Sequence, residues 1–403
     1  MNFSSPNFFI LLQFLLLVSL VYHVFSFDTS FHQISNQTFQ QKEKIANRLQ
    51  QINKPSVKTI HSPDGDIIDC VLFQNQPAFD HPLLKGHKPS DPPERPKGYN
   101  KINILNDNFQ LWSSSGESCP EGTIPIIRTT EQDILRAGSL DRFGKKSIDQ
   151  VNSLAHEYVN AQFRDGGYYG GQASFNVWAP HVEYAYEFSL SQMWVVAGAG
   201  EDLSTLEVGW HVYPQLNGDN HTRLFIYWTA DAYKNTGCHN LQCPGFVQTN
   251  SKIVVGGAIS TTSMYNGSQF EISLMIWKDQ KTDHWWLEVG PGNLIGYWPS
   301  SLFPNFKDHA DRVDFGGEII NSNSKGTHTS TQMGSGHFAE EGFGKAAFIR
   351  NMELVDHNNN LNMAQNPQFL EQFPNCYDQK IGSSKEWGSY FYFGGPGRNI
   401  KCQ

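Results

Sequence analysis

The sequence predicts an all-β protein, an antiparallel β-sandwich preceded by a small α+β domain. Charged residues make up only 17% of the chain and aromatics 13%, with 35 Gly and 20 Pro to punctuate it, a balance that suits strands joined by turns and not a helical bundle. From about Gly166 onward, stretch after stretch alternates large apolar residues with small or polar ones: FNVWAPHV, EYAYEFSLSQMWVVAG, TLEVGWHVYP, RLFIYWTADAY, KIVVGGAI, FEISLMIWKD, WWLEVG, RVDFGGEII, KAAFIRNMELVD and SYFYFGG. No helix-length segment separates them, which argues against a parallel βαβ arrangement.

The elements follow in order. Phe8 to Tyr22 is an apolar run too short for a membrane span, and Val24-Phe25-Ser26 after it offers small residues to a signal peptidase, so residues 1–26 read as a secretory leader. Phe31 to Asn53 reads as an amphipathic helix, with Phe31, Ile34, Phe39, Ile45, Leu49 and Ile52 near one face and Pro55 beyond its end. Pro63-Asp64-Gly65 between two apolar runs signals a hairpin. Gln76 to Gly98, rich in proline, is expected to be an extended loop without a ladder. Thr129-Thr130 followed by Asp133 can cap a short helix ended by Gly138. The polar LDRFGKK stretch then reads as an exposed hinge, dividing an N-terminal domain (27–145) from the sandwich (146–403).

Six cysteines, an even number, fit an oxidising compartment. Six allow fifteen pairings. Proximity favours Cys238 with Cys243 and Cys376 with Cys402, leaving Cys70 with Cys119. Sequons at Asn36, Asn220 and Asn266 are candidate N-glycosylation sites.

Several chemistries are excluded. A net charge of −9 offers no basic stripe for nucleic acid. His156-Glu157 lacks the second histidine of a zinc-protease helix, because Asn160 stands there. Met333 occupies the place of the first glycine of a nucleophile elbow at Gly334-Ser335-Gly336. With all cysteines paired no thiol nucleophile remains, and in an oxidising compartment Cys238-His239 with Cys243 is not expected to hold metal.

Carboxylates remain. In LEVGWHV, Leu206, Val208, Trp210 and Val212 fall on one side of a strand, and Glu207, Gly209, His211 and Tyr213 on the other. DRVDFGGEIIN repeats the arrangement, with Asp314, Gly316 and Glu318 on the polar side. Two carboxylates brought together share a proton, giving one general base and one general acid. A glutamate on an outer strand face is ordinarily idle and solvated, and Glu183, Glu187, Glu271 and Glu288 are read that way.

GTIPIIRTTEQDILRA, YYGGQASFNVWAP, LEVGWHVYPQLNGDNHTRLFIYWTADAYKNTGCHNLQCPGFVQ, IGYWPSSLF, VDFGGEI and GSGHF resemble the plant neprosin family, with an activation domain followed by a catalytic domain. The resemblance implies a secreted glutamic peptidase made as a zymogen, active in acid and cleaving after proline. It maps the catalytic pair onto Glu207 and Glu318, with Glu288 the competing strand glutamate for the second place.

Alternation puts Trp210 and Trp228 in the core, and leaves Tyr213 and Tyr227, with the Gln192 amide, as candidate substrate contacts. The expected partners are a proline-containing peptide and the protein's own N-terminal domain as an intramolecular inhibitor. The protein is expected to be an apoplastic or cell-wall monomer without cofactor, metal, nucleic acid or, after leader removal, membrane. A glycoside hydrolase built on the same carboxylates and a non-catalytic glycan-binding module are the competing readings.

Overall fold

The computed structural model describes residues 40–99, 109–146, 155–164, 166–323 and 326–403. It divides into two compact units, Met1–Gln51 and Ile52–Gln403. In the first, the described residues 40–51 are helical, as expected for that half of the amphipathic stretch. The leader, Asn36 and residues 31–39 lie outside the described residues. No described helix is long and apolar enough to cross a membrane.

The second unit opens with a three-stranded antiparallel sheet of β1 (Ser56–His61), β2 (Ile67–Leu72) and β3 (Thr123–Ile127). The turn between β1 and β2 needs Gly65, whose φ is +93°. Helix Glu131–Arg136 carries the expected capping box between Thr130 and Asp133, and Gly138 follows at φ +76°. Cys70 bonds Cys119, as proximity predicted, and the other two pairs form as expected.

Two further antiparallel sheets face each other. One has ten strands: β14 (Met333–Gly334), β19 (Gly388–Gly395), β15 (Ala347–Val355), β5 (Gly170–Asn176), β10 (Glu271–Lys278), β11 (Trp285–Val289), β12 (Leu294–Trp298) and β9 (Val247–Gln248), with β16 (Leu361–Met363) beside β15 and β18 (Asp378–Ser384) beside β19. The other has six, in the order β17 (Gln368–Glu371), β4 (Ala155–Phe163), β13 (Arg312–Asn321), β6 (Ser189–Ala197), β7 (Ser204–Val212) and β8 (Arg223–Thr229). Val159, Met193, Val208, Trp210, Trp228 and Phe315 of the six-stranded sheet share one core with Phe175, Ile276 and Trp277 of the other. Strand alternation therefore turns the opposite face of the six-stranded sheet away from that core.

Three strand expectations change. Strand β6 starts at Ser189, not at Glu183, because Glu183 and Glu187 bend into a loop and accept hydrogen bonds from Thr329, Ser330 and Thr331. Residues 252–259 form turns and isolated bridges instead of a strand. The Gln110 side chain replaces the ladder there, its amide donating to the Val254 carbonyl at 2.7 Å and its oxygen accepting from the Val254 N–H at 2.8 Å. Strand β4, with the period-two sequence AHEYVNAQF, lies upstream of the run of strands recognised in the sequence.

The proline-rich stretch after β2 forms single 3-10 turns and then runs extended over the ten-stranded sheet. Arg95 and Tyr99 close on Glu288, and the Trp277 indole donates to the Glu94 carbonyl at 3.1 Å. Ala78, Leu84 and Phe109 join the sandwich's own core, so residues from both sides of position 146 build it.

Candidate active site

Glu207 and Glu318 share the outer face of the six-stranded sheet, on strands that flank β6. Glu207 pairs across from Trp194, Glu318 from Leu190, and Gln192 lies midway between those two positions. Gly209 and Gly316 stand beside Gln192 on either side. A Cβ on Gly209 would come within 2.5 Å of the Gln192 Cβ, and one on Gly316 within 2.2 Å of the Val159 carbonyl oxygen. The glycines are therefore required by close neighbours as well as leaving the floor between the two carboxylates free of side chains. Leu190, Trp194, Tyr213, Phe225 and Tyr227 make the same face apolar and aromatic.

Glu207 is 0% exposed. Its solvation is replaced by four donors. Thr205 Oγ1 at 2.9 Å and the Tyr233 hydroxyl at 2.8 Å serve Oε1; Gln192 Nε2 at 3.1 Å and Lys146 Nζ at 2.6 Å serve Oε2. Burial works to raise the Glu207 pKa, yet the attraction of Lys146 and these hydrogen bonds win, and it lies below the ordinary carboxylate value. Burial likewise works against the Lys146 charge, and the combined pull of Glu207 and then Glu318 more than offsets it, so the lysine pKa is raised. The ammonium is bonded to Glu207 and feels the Glu318 charge at longer range. Tyr233 reaches the site from a turn in which Ala232 and Tyr233 adopt φ of 57° and 64°, held by Asp231 accepting from Asn235 and Thr236.

Glu318 is 2% exposed and its Oε1 lies 2.5 Å from His156 Nδ1. Tyr158, directly across from Glu318 on β4, stacks on His156 with the rings 6.2 Å apart. Burial, then the Glu318 charge, holds the Tyr158 phenol well above its ordinary pKa. The pair therefore differs: Glu207 sits among neutral hydroxyl and amide donors once Lys146 is set aside, whereas Glu318 faces an imidazole and a phenol. Glu288, the competing glutamate, stands on the ten-stranded sheet with Arg95 and Tyr99.

Of the candidate contacts, Gln192 and Tyr227 are beside Glu207: Tyr227 is its cross-strand partner on β8, and its hydroxyl accepts the Lys146 backbone N–H at 3.2 Å. Tyr213 is further along the same face, packed edge-on against Phe188 with ring centres 5.3 Å apart. Sequence reasoning passed over Lys146, Thr205, Tyr233, His156 and Tyr158. Alternation alone marks Thr205, His156 and Tyr158, since each shares a strand face with a candidate or its neighbour. Lys146 and Tyr233 come from a turn and a hinge, where no periodicity points. Asn220 and Asn266 are exposed. Among the described residues one grouping has metal-like spacing, His328 with Cys376 and Cys402, and its two sulfurs are bonded to each other.

Residues 185–396 match the family model described as Neprosin, and residues 59–166 the model described as Neprosin activation peptide. Among solved structures the chain is similar to Scytalido-glutamic peptidase with a peptide-based transition-state analog, at 10% identity and a TM-score of 0.31, covering 60% of this chain and 99% of that one. It is similar to SCP-B, a member of the Eqolisin family of peptidases in complex with the tripeptide Ala-Ile-His, at 10% identity and a TM-score of 0.29, covering 60% and 98%. A β-porphyranase from the human gut bacterium Bacteroides plebeius matches at 8% identity and a TM-score of 0.23, covering 38% and 53%.

Proposed function

The chain belongs to the neprosin family, and on that premise we propose that it is a glutamic endopeptidase made as a zymogen, with Glu207 and Glu318 as its catalytic pair and Lys146 as its plug. The observation that carries the reading is the Lys146 ammonium, bonded to Glu207 at 2.6 Å on a sheet face that also bears Glu318 and two glycines between them. With the ammonium gone, one carboxyl group in acid carries a proton while the other is ionised, with water and the peptide bond lying between them above Gln192. The ionised one takes a proton from water, whose oxygen attacks the scissile carbonyl carbon, while the other gives its proton to the carbonyl oxygen. The Gln192 amide polarises the same oxygen. Collapse of the diol breaks the C–N bond: the amine takes the proton gained by the base, and the diol hydroxyl returns the other.

Latency and acid dependence are one device in this reading. Lys146 holds Glu207 ionised and occupies the space a substrate needs, and protonation of Glu207 removes the charge that retains it. The segment from Arg142 to Lys146 is the place for maturation. Removal of the leader after Ser26, secretion to the apoplast or wall, and action as a monomer complete the proposal, supported by three disulfides and two exposed sequons. The aromatic face around the pair offers stacking surface for a proline ring, which supports cleavage after proline.

Digestion of a mixed peptide library by the full chain across a pH series tests the reading. Cleavage confined to acid, with proline before the cut, is the expected result. Release of reducing sugar from wall glycans with every peptide intact would replace it with a glycoside hydrolase.

A further inference from the structure

The plug's main chain is held as well as its lysine. The Gly144 carbonyl accepts two hydrogen bonds from His239, from the backbone N–H at 2.7 Å and from ring Nδ1 at 3.2 Å. Two residues on, the Lys146 N–H donates to the Tyr227 hydroxyl at 3.2 Å. Both anchors are built into the sheet face that carries Glu207. His239 lies in the loop closed by Cys238–Cys243, bridges Tyr227 on β8 in antiparallel fashion, and packs its ring edge-on against the Tyr227 ring at 4.7 Å. Tyr227 is 0% and His239 4% exposed. The neighbouring Asn240 fixes the loop, its N–H donating to the Ile226 carbonyl at 2.9 Å and its side-chain oxygen accepting from the Ile226 N–H at 3.2 Å.

We propose that His239 and Tyr227 form a main-chain subsite for an extended peptide substrate, which the zymogen segment occupies in its place; this rests on the peptidase reading above. Both contacts are made to atoms that every peptide carries, a carbonyl and the N–H two residues further on. The part peculiar to the plug is what departs from a substrate: Gly144 at φ +76° turns the chain, and the Lys146 side chain then fills the floor. Burial, then the Lys146 charge, lowers the His239 pKa to about 3, so the ring is neutral, and the carbonyl opposite Nδ1 selects the tautomer with its hydrogen on that nitrogen. The subsite also carries a selectivity: proline has no N–H to give Tyr227, so the residue in the place of Lys146 is not proline.

The test uses the acid-processed full chain and a peptide in which each backbone N–H in turn is replaced by an ester oxygen. One ester position is expected to cost the wild-type protein about 3- to 10-fold in kcat/KM, through KM. Tyr227→Phe should lose as much on the all-amide peptide and become indifferent to the ester at that position. Equal ester penalties in the two proteins at every position overturn the subsite. A wild-type protein that cuts no peptide overturns the peptidase reading instead, and the subsite is then judged by displacement. An excess of an extended peptide lacking Lys and Arg should speed tryptic nicking at Arg142 and Lys145, and its ester analogue should do so less; nicking that ignores both peptides overturns it.

Discussion

Glu207 accepts from four donors on two oxygens, only one of them charged. Its ion pair with Lys146 is at full strength above the ordinary carboxylate value of 4.5, and is lost as the pH falls through the lowered value that the carboxyl has when paired. Lys146, raised above 10.5, keeps its proton throughout that range. The plug is therefore expected to loosen only below about pH 4.5, read as the rate at which the chain is processed across a pH series. Lys146→Ala leaves Glu207 with neutral donors and its burial penalty, so processing should start at higher pH and run faster at a given mild acidity. Glu207→Gln and Glu318→Gln should each lower peptide cleavage at least ~100-fold with unchanged circular dichroism, because in the proposed mechanism each removes one of two proton-transfer groups. Full cleavage by either variant would remove that glutamate from the chemistry. At this scale alternation and neighbouring glycines place the two glutamates on one sheet face, and it is the family resemblance that singles them out from the other strand glutamates. Lys146 was not legible in the sequence, because its partner is 61 positions away and no local pattern encodes that contact.

At the scale of the element, the site depends on how closely strands approach. The ideal Cβ of Gly209 falls 2.1 Å from the Ser191 carbonyl oxygen, a backbone atom that cannot swing aside. Gly209→Ala must therefore push β6 and β7 apart, and it should cost about 1–3 kcal/mol in chemical denaturation. It should also lower activity more than its stability loss explains, since the same shift moves Gln192 away from Glu207. A variant with wild-type stability would show that the strands tolerate the shift. The period-two signal that exposed β7 and β13 is as clear in β4, where His156, Tyr158 and Asn160 alternate with Glu157, Val159 and Ala161. That strand lies before Gly166, where the uninterrupted series of alternating stretches begins. The error at residues 252–259 has a different origin: apolar alternation is present, but the partner is the Gln110 side chain, a tertiary contact that periodicity does not report.

For the Ile52–Gln403 unit, composition and turn chemistry carried the sandwich into view, and cysteine proximity carried the three bonds. The way the N-terminal segment is joined to the sheets was not visible, because it rests on a buried cation. Arg223, 2% exposed on β8, donates to Asp66 at 2.6 Å, to Asp64 at 3.5 Å, to Asp219 and to the Gly256 carbonyl at 3.0 Å. Two of these acids come from the β1–β2 turn. Arg223→Ala removes the cation shared by three partly buried carboxylates, a loss of about 1–3 kcal/mol near neutral pH. Burial raises the Asp66 pKa despite Arg223, so in acid that group takes a proton within the folded protein and the damage shrinks. The melting temperature of the variant should therefore lie further below wild type at pH 7 than at pH 4. The direction is opposite to that at Glu207, where acid removes a favourable contact. In the proposed reading acid loosens the plug, and because Asp66 has the raised pKa the Arg223–Asp66 pair also weakens; the Arg223–Asp219 pair and the shared core with Ala78, Leu84 and Phe109 are then what keep the N-terminal segment in place. After acid processing both fragments should elute in one peak on size exclusion, and separate only when Arg223 is also removed or denaturant is added. Separation of the wild-type fragments in acid alone would show that the Lys146 contact, not Arg223 and the shared core, is what holds the two parts together.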